Sequence, residues 1–391
     1  MSRLARYFVS RFIGRYIIAL MLFGCSMELC ARIDDKIKYG APVFGYYSSD
    51  LLRETDSEGI RRNVPNSHFE KWKINELGFR GKSVPLVKAP GVIRIVCMGT
   101  SESFGLYEDP EMEWPAQLGT FLKDHGQFEV INASVVGMGL ENFIPYLKKY
   151  VLHLDPDVVI LYVNPYFYFE SKMRKGNGAI NPGPKSAPNK TSKKPKNELL
   201  DSLQLRSLPK IKQAVKQHVP QPALKRFQTW NMSRQVKRSE QRSRTGKNPL
   251  DAVPEEYLKD FEMDMKQLAD FLKNHQAEVI LSTYPSLLKE ENLKEHKEIF
   301  LDFRRFCMGL SFKGMIDANK RFNEVLTTVA EKSRAGIVDN SRRVPKDIEH
   351  FGDNVHYTNK GAAEVARSFA DLILSKTDRR AGFETNCVRG E

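Results

Sequence analysis

Val92-Ile93-Arg94-Ile95-Val96-Cys97-Met98 runs straight into Gly99-Thr100-Ser101-Glu102-Ser103. An apolar run this continuous predicts a strand covered on both faces, as in a parallel sheet. The small residues that follow predict a turn presenting a serine at the strand's carboxyl end. Further apolar runs stand at 128–132, 157–163, 278–283 and 336–339. Between them, Leu258, Phe261, Met265, Leu268 and Leu272 recur at helical spacing, as do Phe322, Val325, Leu326 and Val329. A last helix is expected after Thr358 as N-cap, burying Ala362, Val365, Ala366, Phe369 and Ile373. Strands alternating with helices predict an α/β fold: a three-layer α/β/α sandwich on a central parallel sheet of about five strands.

At 391 residues, 41% hydrophobic and 28% charged, the chain has the bulk composition of an ordinary soluble protein. Its net charge of +13 is unevenly spread. Segment 171–247 holds 20 Lys and Arg against 3 Asp and Glu, net +17, which leaves −4 for the rest. The basicity therefore belongs to one insertion, which opens with a Pro/Gly-rich linker, and nucleic acid is not an expected partner. Anionic glycan or lipid headgroups are the expected contacts of 171–247.

Arg3, Arg6, Arg11 and Arg15 precede the apolar stretch 16–24. This pattern predicts a single-pass signal anchor with its basic flank inside and the body outside the cytoplasm. A cleaved signal peptide and a lipoprotein signal around Leu22-Phe23-Gly24-Cys25 are the alternatives. The expected organisation is an anchor and juxtamembrane helix over 1–33, a turn-rich lead-in over 34–90, and an α/β domain over 91–377. The insertion 171–247 lies within that domain, and a tail covers 378–391. Cys25, Cys30, Cys97, Cys307 and Cys387 show no metal spacing and read as unpaired thiols, with a Cys307–Cys387 bridge left open.

Ligands of a doubly wound sheet bind beyond the carboxyl ends of its strands. Ser101 follows the first such end, Asn132-Ala133-Ser134-Val135-Val136-Gly137 the second and Asn164 the third. Late in the chain stands Asp353-Asn354-Val355-His356. A serine hydroxyl is a weak nucleophile until an imidazole, held by a carboxylate, takes its proton. Ser101, His356 and Asp353 fill those roles. The backbone N–H groups of Ser101 and Gly137 and the Asn164 amide would bind an oxyanion. Glu102 and Tyr162 are the candidate substrate contacts, with a hydrogen bond inside the turn as the alternative place for Glu102. Gly137-Met138-Gly139 superficially suggests a dinucleotide loop, but it lacks the third glycine and follows the second strand. His68, His125, His153, His218, His275, His296 and His350 read as scattered surface residues, and neither a metal nor a cofactor is expected.

These blocks resemble the SGNH (GDSL-type) hydrolase superfamily, whose flavodoxin-like fold matches the one expected above. Gly99-Thr100-Ser101, the Asn132-to-Gly137 run, Asn164 and Asp353-to-His356 stand for its four blocks in order. Thr100 replaces the first block's Asp, and Tyr162 and Pro165 replace the Gly and Asp of the third. The lead-in Asn75-Glu76-Leu77-Gly78-Phe79-Arg80-Gly81 and the run Ser101-Glu102-Ser103-Phe104-Gly105-Leu106-Tyr107-Glu108 resemble a membrane-anchored bacterial subgroup associated with cell-surface or exopolysaccharide synthesis. The resemblance implies a serine esterase or O-acyltransferase acting on acyl groups, most simply acetyl, of an acylated carbohydrate. It places the body on the periplasmic side of a bacterial inner membrane. The alternative is a catalytically silent glycan-binding or assembly partner of a membrane polysaccharide-synthesis complex.

Overall fold

The computed structural model describes residues 3–176, 205–242 and 249–387. Five strands form one parallel sheet: β1 (Ile93–Gly99), β2 (Phe128–Asn132), β3 (Val158–Tyr162), β4 (Glu278–Ser282) and β5 (Gly336–Val338). Their order is 2-1-3-4-5. Cys97 sits between Asn132 on one side and Ile160 on the other. Ile95 to Met98 and Val159 to Leu161 are fully buried, which accounts for runs that never alternate with polar residues.

Two helical layers provide that cover. Trp114–Leu122 packs against the long helix Asn359–Cys387, while Glu255–Asn274 packs against Phe312–Lys332. The buried residues of Glu255–Asn274 include the five expected from its spacing. In Phe312–Lys332, Phe322, Leu326 and Val329 are buried and Val325 is partly so. Thr358 accepts the Gly361 N–H on Oγ1 at 3.3 Å, capping the last helix. Strand order reverses between β1 and its neighbours β2 and β3, so their carboxyl ends open a crevice there.

The first helix, α1 (Arg3–Tyr39), contains a stretch, Gly14–Tyr39, long and apolar enough to cross a membrane, with a mean hydropathy of 1.6. A membrane anchor and a signal sequence both fit that description. Helix Ser207–His218 docks on its far end. The Glu28 carboxylate accepts the N–H groups of Arg206 at 3.0 Å and Ser207 at 2.9 Å, where a helix start favours an anion. The Pro/Gly-rich opening of the insertion lies outside the described residues.

The lead-in forms two small hairpins, Arg53–Thr55 with Arg61–Asn63 and His68–Phe69 with Trp72–Lys73. Leu52, Ile74 and Phe104 make a second, minor core beneath the nucleophile turn. Trp72 donates its indole N–H to Gly105 O at 2.8 Å, and Lys71 donates to Tyr107 O at 2.9 Å. Cys97 and Cys307 are buried free thiols, and Cys25 and Cys30 are exposed ones.

Ile160 lies at the centre of the sheet. Ile160→Ala is expected to cost about 2–5 kcal/mol of stability, read as a shifted urea midpoint with an unchanged slope. A shift below measurement error would mean that the sheet is not the packed core described.

Candidate active site

The site begins with the turn between β1 and the single-turn helix Ser101–Phe104. A β-carbon at Gly99 would collide with the Ser103 side chain and stand 3.0 Å from Tyr162 O, so only glycine lets the chain bend this closely over β3. Ser101 heads the helix. Its Oγ lies 2.8 Å from His356 Nε2. His356 Nδ1 lies 2.7 Å from Asp353 Oδ2. Asp353 Oδ1 accepts the N–H groups of Val355 at 2.8 Å and His356 at 2.9 Å, a tight turn that aims the other oxygen at the ring. The structure thus brings Ser101, His356 and Asp353 into one hydrogen-bonded line across 255 residues of sequence.

The loop after β4 supports the late turn from behind. Leu287 N–H donates to Asn354 O at 2.9 Å, and Ser286 Oγ donates to Asn354 Oδ1 at 3.0 Å. Tyr107 closes the front. Its hydroxyl donates to Asp353 Oδ2 at 3.1 Å, and its ring meets the imidazole edge-on at 5.4 Å. Sequence reasoning missed Tyr107; its one signal was its place in the run quoted from Ser101 to Glu108.

Among the described residues, the N–H groups of Ser101 and Gly137 have no hydrogen-bond partner. Gly137 adopts φ +72 in the turn after β2, a region that favours glycine. Asn164 caps helix Pro165–Gly176, its Oδ1 accepting the Phe167 N–H at 3.0 Å with proline at the first helical position. Its Nδ2 donates to Glu102 Oε1 at 2.5 Å. One amide hydrogen is thereby committed, and the second is the one left for an oxyanion.

Glu102 takes the hydrogen-bonded place within the turn rather than that of an open substrate contact, and Tyr162 is buried too. Each is about 1% exposed. Glu102 accepts from Thr100 Oγ1 at 2.5 Å, Asn164 Nδ2 at 2.5 Å and Tyr284 OH at 2.6 Å. Tyr162 shares a hydrogen bond with Tyr357 and stacks obliquely on Trp114. Both belong to the wall behind Ser101, inside the fold rather than on its open face. His350, expected at the surface, is 6% exposed and held by Asp347 at 2.7 Å. The chain carries two Asp-x-x-His turns, and only the second is hydrogen-bonded to Ser101.

Electrostatics at the triad favour the imidazolium. Burial works against it, but the hydrogen bond and charge of Asp353, with Glu102 and Glu108 beyond, more than offset this and raise His356 from 6.5 to about 9. Burial opposes the Asp353 carboxylate too, yet the His356 hydrogen bond holds it below its ordinary value. Burial pushes Glu108 up to about 8.

No protein-family model matches this chain, and no curated protein matches it. Solved structures do. One is an acetyl xylan esterase, at 13% identity over 71% of this chain and 98% of its own, TM-score 0.38. Another is an acetyl xylan esterase from Geobacillus stearothermophilus, at 13% identity over 74% and 97%, TM-score 0.38. A third is a lipase/acylhydrolase from Enterococcus faecalis, at 13% identity over 73% and 96%, TM-score 0.40. Likeness at this level bears on none of the residues described above.

His356 must be neutral to take a proton from Ser101. Because its pKa is raised, falling pH protonates it sooner than a free histidine. The acid limb of kcat/KM on 4-nitrophenyl acetate is therefore expected above pH 6.5, with about a tenfold loss per unit below it. Asp353→Asn should move that limb downward and slow turnover by about 10⁴-fold. A wild-type limb at or below 6.5 would contradict the described coupling. Glu102→Ala leaves three buried donors without an acceptor and is expected to cost about 3 kcal/mol in urea denaturation; a neutral result would remove Glu102 from its structural role.

Proposed function

We propose that the protein is an SGNH-type serine esterase or O-acyltransferase. Ser101 Oγ attacks an ester carbonyl while His356 Nε2 takes its proton and Asp353 steadies the imidazolium. The Ser101 and Gly137 N–H groups, with the free Asn164 amide hydrogen, stabilise the oxyanion. Collapse breaks the bond from carbonyl carbon to alcohol oxygen, His356 returns the proton to the leaving alcohol, and the acyl group stays on Ser101. Water then completes an esterase cycle, whereas a sugar hydroxyl completes a transfer. The observation that carries this reading is the hydrogen-bonded line from Ser101 through His356 to Asp353.

The finer reading comes from the subgroup resemblance. The acyl group is acetyl in the simplest case, the carrier a cell-surface or exported polysaccharide, and α1 the anchor in a bacterial inner membrane with the body outside the cytoplasm. The basic segment 171–247 contacts anionic glycan or lipid headgroups near that membrane.

A serine-directed fluorophosphonate tests the chemistry. It is expected to label the wild type and to leave Ser101→Ala unlabelled. Equal labelling of both, or of neither, sinks the catalytic reading and leaves a silent glycan-binding partner in its place.

A further inference from the structure

The first lead-in hairpin carries two arginines on the face turned toward the site. Arg53 pairs with Asn63 and Thr55 with Arg61, so these four side chains share one face. Asn63 shows where that face looks: it is buried and donates to Ser134 O at 3.1 Å, in the turn after β2. Arg61 reaches further along the same turn. Its Nε–H donates to Val136 O at 2.9 Å, and its Nη2 lies 3.7 Å from where a β-carbon of Gly137 would stand. The guanidinium thus lies along the flank of the residue whose N–H is one of the partnerless donors. Arg53 donates to Ser49 O at 3.2 Å.

Among the described residues, neither arginine has a carboxylate partner. The hairpin's own acids are used elsewhere. Glu54 pairs with Arg62, and Asp56 takes Lys149 and the Tyr150 hydroxyl. Asp50 is the acid whose charge reaches both arginines, and it is exposed and bonded by Tyr46 OH. Burial, and then the charge of Arg53, lowers the Arg61 guanidinium below its ordinary value. Two part-buried cations set against one exposed acid form a charge that the folded chain does not balance by itself. Among the described residues the η nitrogens of Arg61 are unengaged, and such a guanidinium fork fits a carboxylate or a phosphate.

We propose that Arg61, with Arg53 behind it, forms an anion subsite beside the ester-binding position, and that the substrate carries a carboxylate or phosphate near its acyl group. The inference rests on the ester-transfer reading of Ser101 and names the substrate class for that site: an acylated anionic glycan. The competing role for Arg61 is a prop that holds Val136 O and so orients Gly137. A prop would serve neutral and anionic esters alike.

The test compares three O-acetylated substrates with the full-length protein in detergent: a glucuronate oligosaccharide, a hexose phosphate and a neutral cello-oligosaccharide. The wild type is expected to prefer an anionic ester, and which one identifies carboxylate or phosphate. In Arg53→Gln, whose hydrogen bonds among the described residues go to Ser49 rather than to the turn, the ratio of anionic to neutral kcat/KM should fall about tenfold to a hundredfold, mainly through KM. Arg61→Gln should lower the same ratio. No wild-type preference, or an unchanged ratio in Arg53→Gln with equal loss on all three esters in Arg61→Gln, overturns the subsite. Calorimetric binding of the unacetylated glucuronate oligosaccharide and hexose phosphate to Ser101→Ala separates the two proposals. Binding that depends on Arg53, in a protein whose wild type turns over no ester, keeps the subsite and removes the esterase reading. Binding indifferent to both arginines removes the subsite.

Discussion

A carboxylate sealed inside a protein must be met by donors, and Glu102 draws its donors from three different strand ends. Thr100 follows β1, Asn164 follows β3 and Tyr284 follows β4. Among the described residues its hydrogen bonds come from two hydroxyls and an amide, and losing any one of these buried bonds is costly. The three loops are therefore bound to converge. That convergence places Ser101 next in sequence to the carboxylate and sets the Asn164 amide. Through the loop that begins at Tyr284, it also supports Asn354 and the turn bearing Asp353 and His356.

The charge around the site is arranged in opposition. Asp353 lies on the imidazole side and, through its hydrogen bond and charge, does most to stabilise the protonated form. Arg61 stands beside Gly137, with Arg53 on the same face of its hairpin. On the proposed reading, Ser101 sits between these two sides, where negative charge would build on a bound carbonyl. Thr100 fits the same scheme. Where the resembling family carries a carboxylate at that position, this chain has a hydroxyl and brings the carboxylate in two residues later, with the hydroxyl as one of its donors.

Much of the fold was legible because buried parallel strands leave unbroken apolar runs, and the structure's five strands fall on the five runs. Ser101, His356 and Asp353 were legible for a related reason: a serine at a strand end and a compact Asp-x-x-His each occupy a few adjacent residues. What stayed hidden was fixed by contacts between distant segments. Arg53 and Arg61 lie in short, polar strands of three residues each, which have no period to read. Glu102 stayed open between a turn hydrogen bond and a substrate contact because one-dimensional sequence does not show that Tyr284 and Asn164 fold over it. His350 and His356 have the same local spacing to an aspartate, and only the tertiary path decides which of them meets the serine.

Glu28 joins the first helix to the rest of the molecule in a particular way. Its carboxylate closes the open end of helix Ser207–His218, and Lys210 of that helix reaches Asp34 and Asp35 one to two turns further along. The long apolar helix is therefore braced from the side as well as continuous with the chain. A brace of this kind resists swivel. If the apolar helix stands in a bilayer, its tilt is passed to the elements braced against it, and the direction in which the crevice faces is set by the lipid rather than by a free linker.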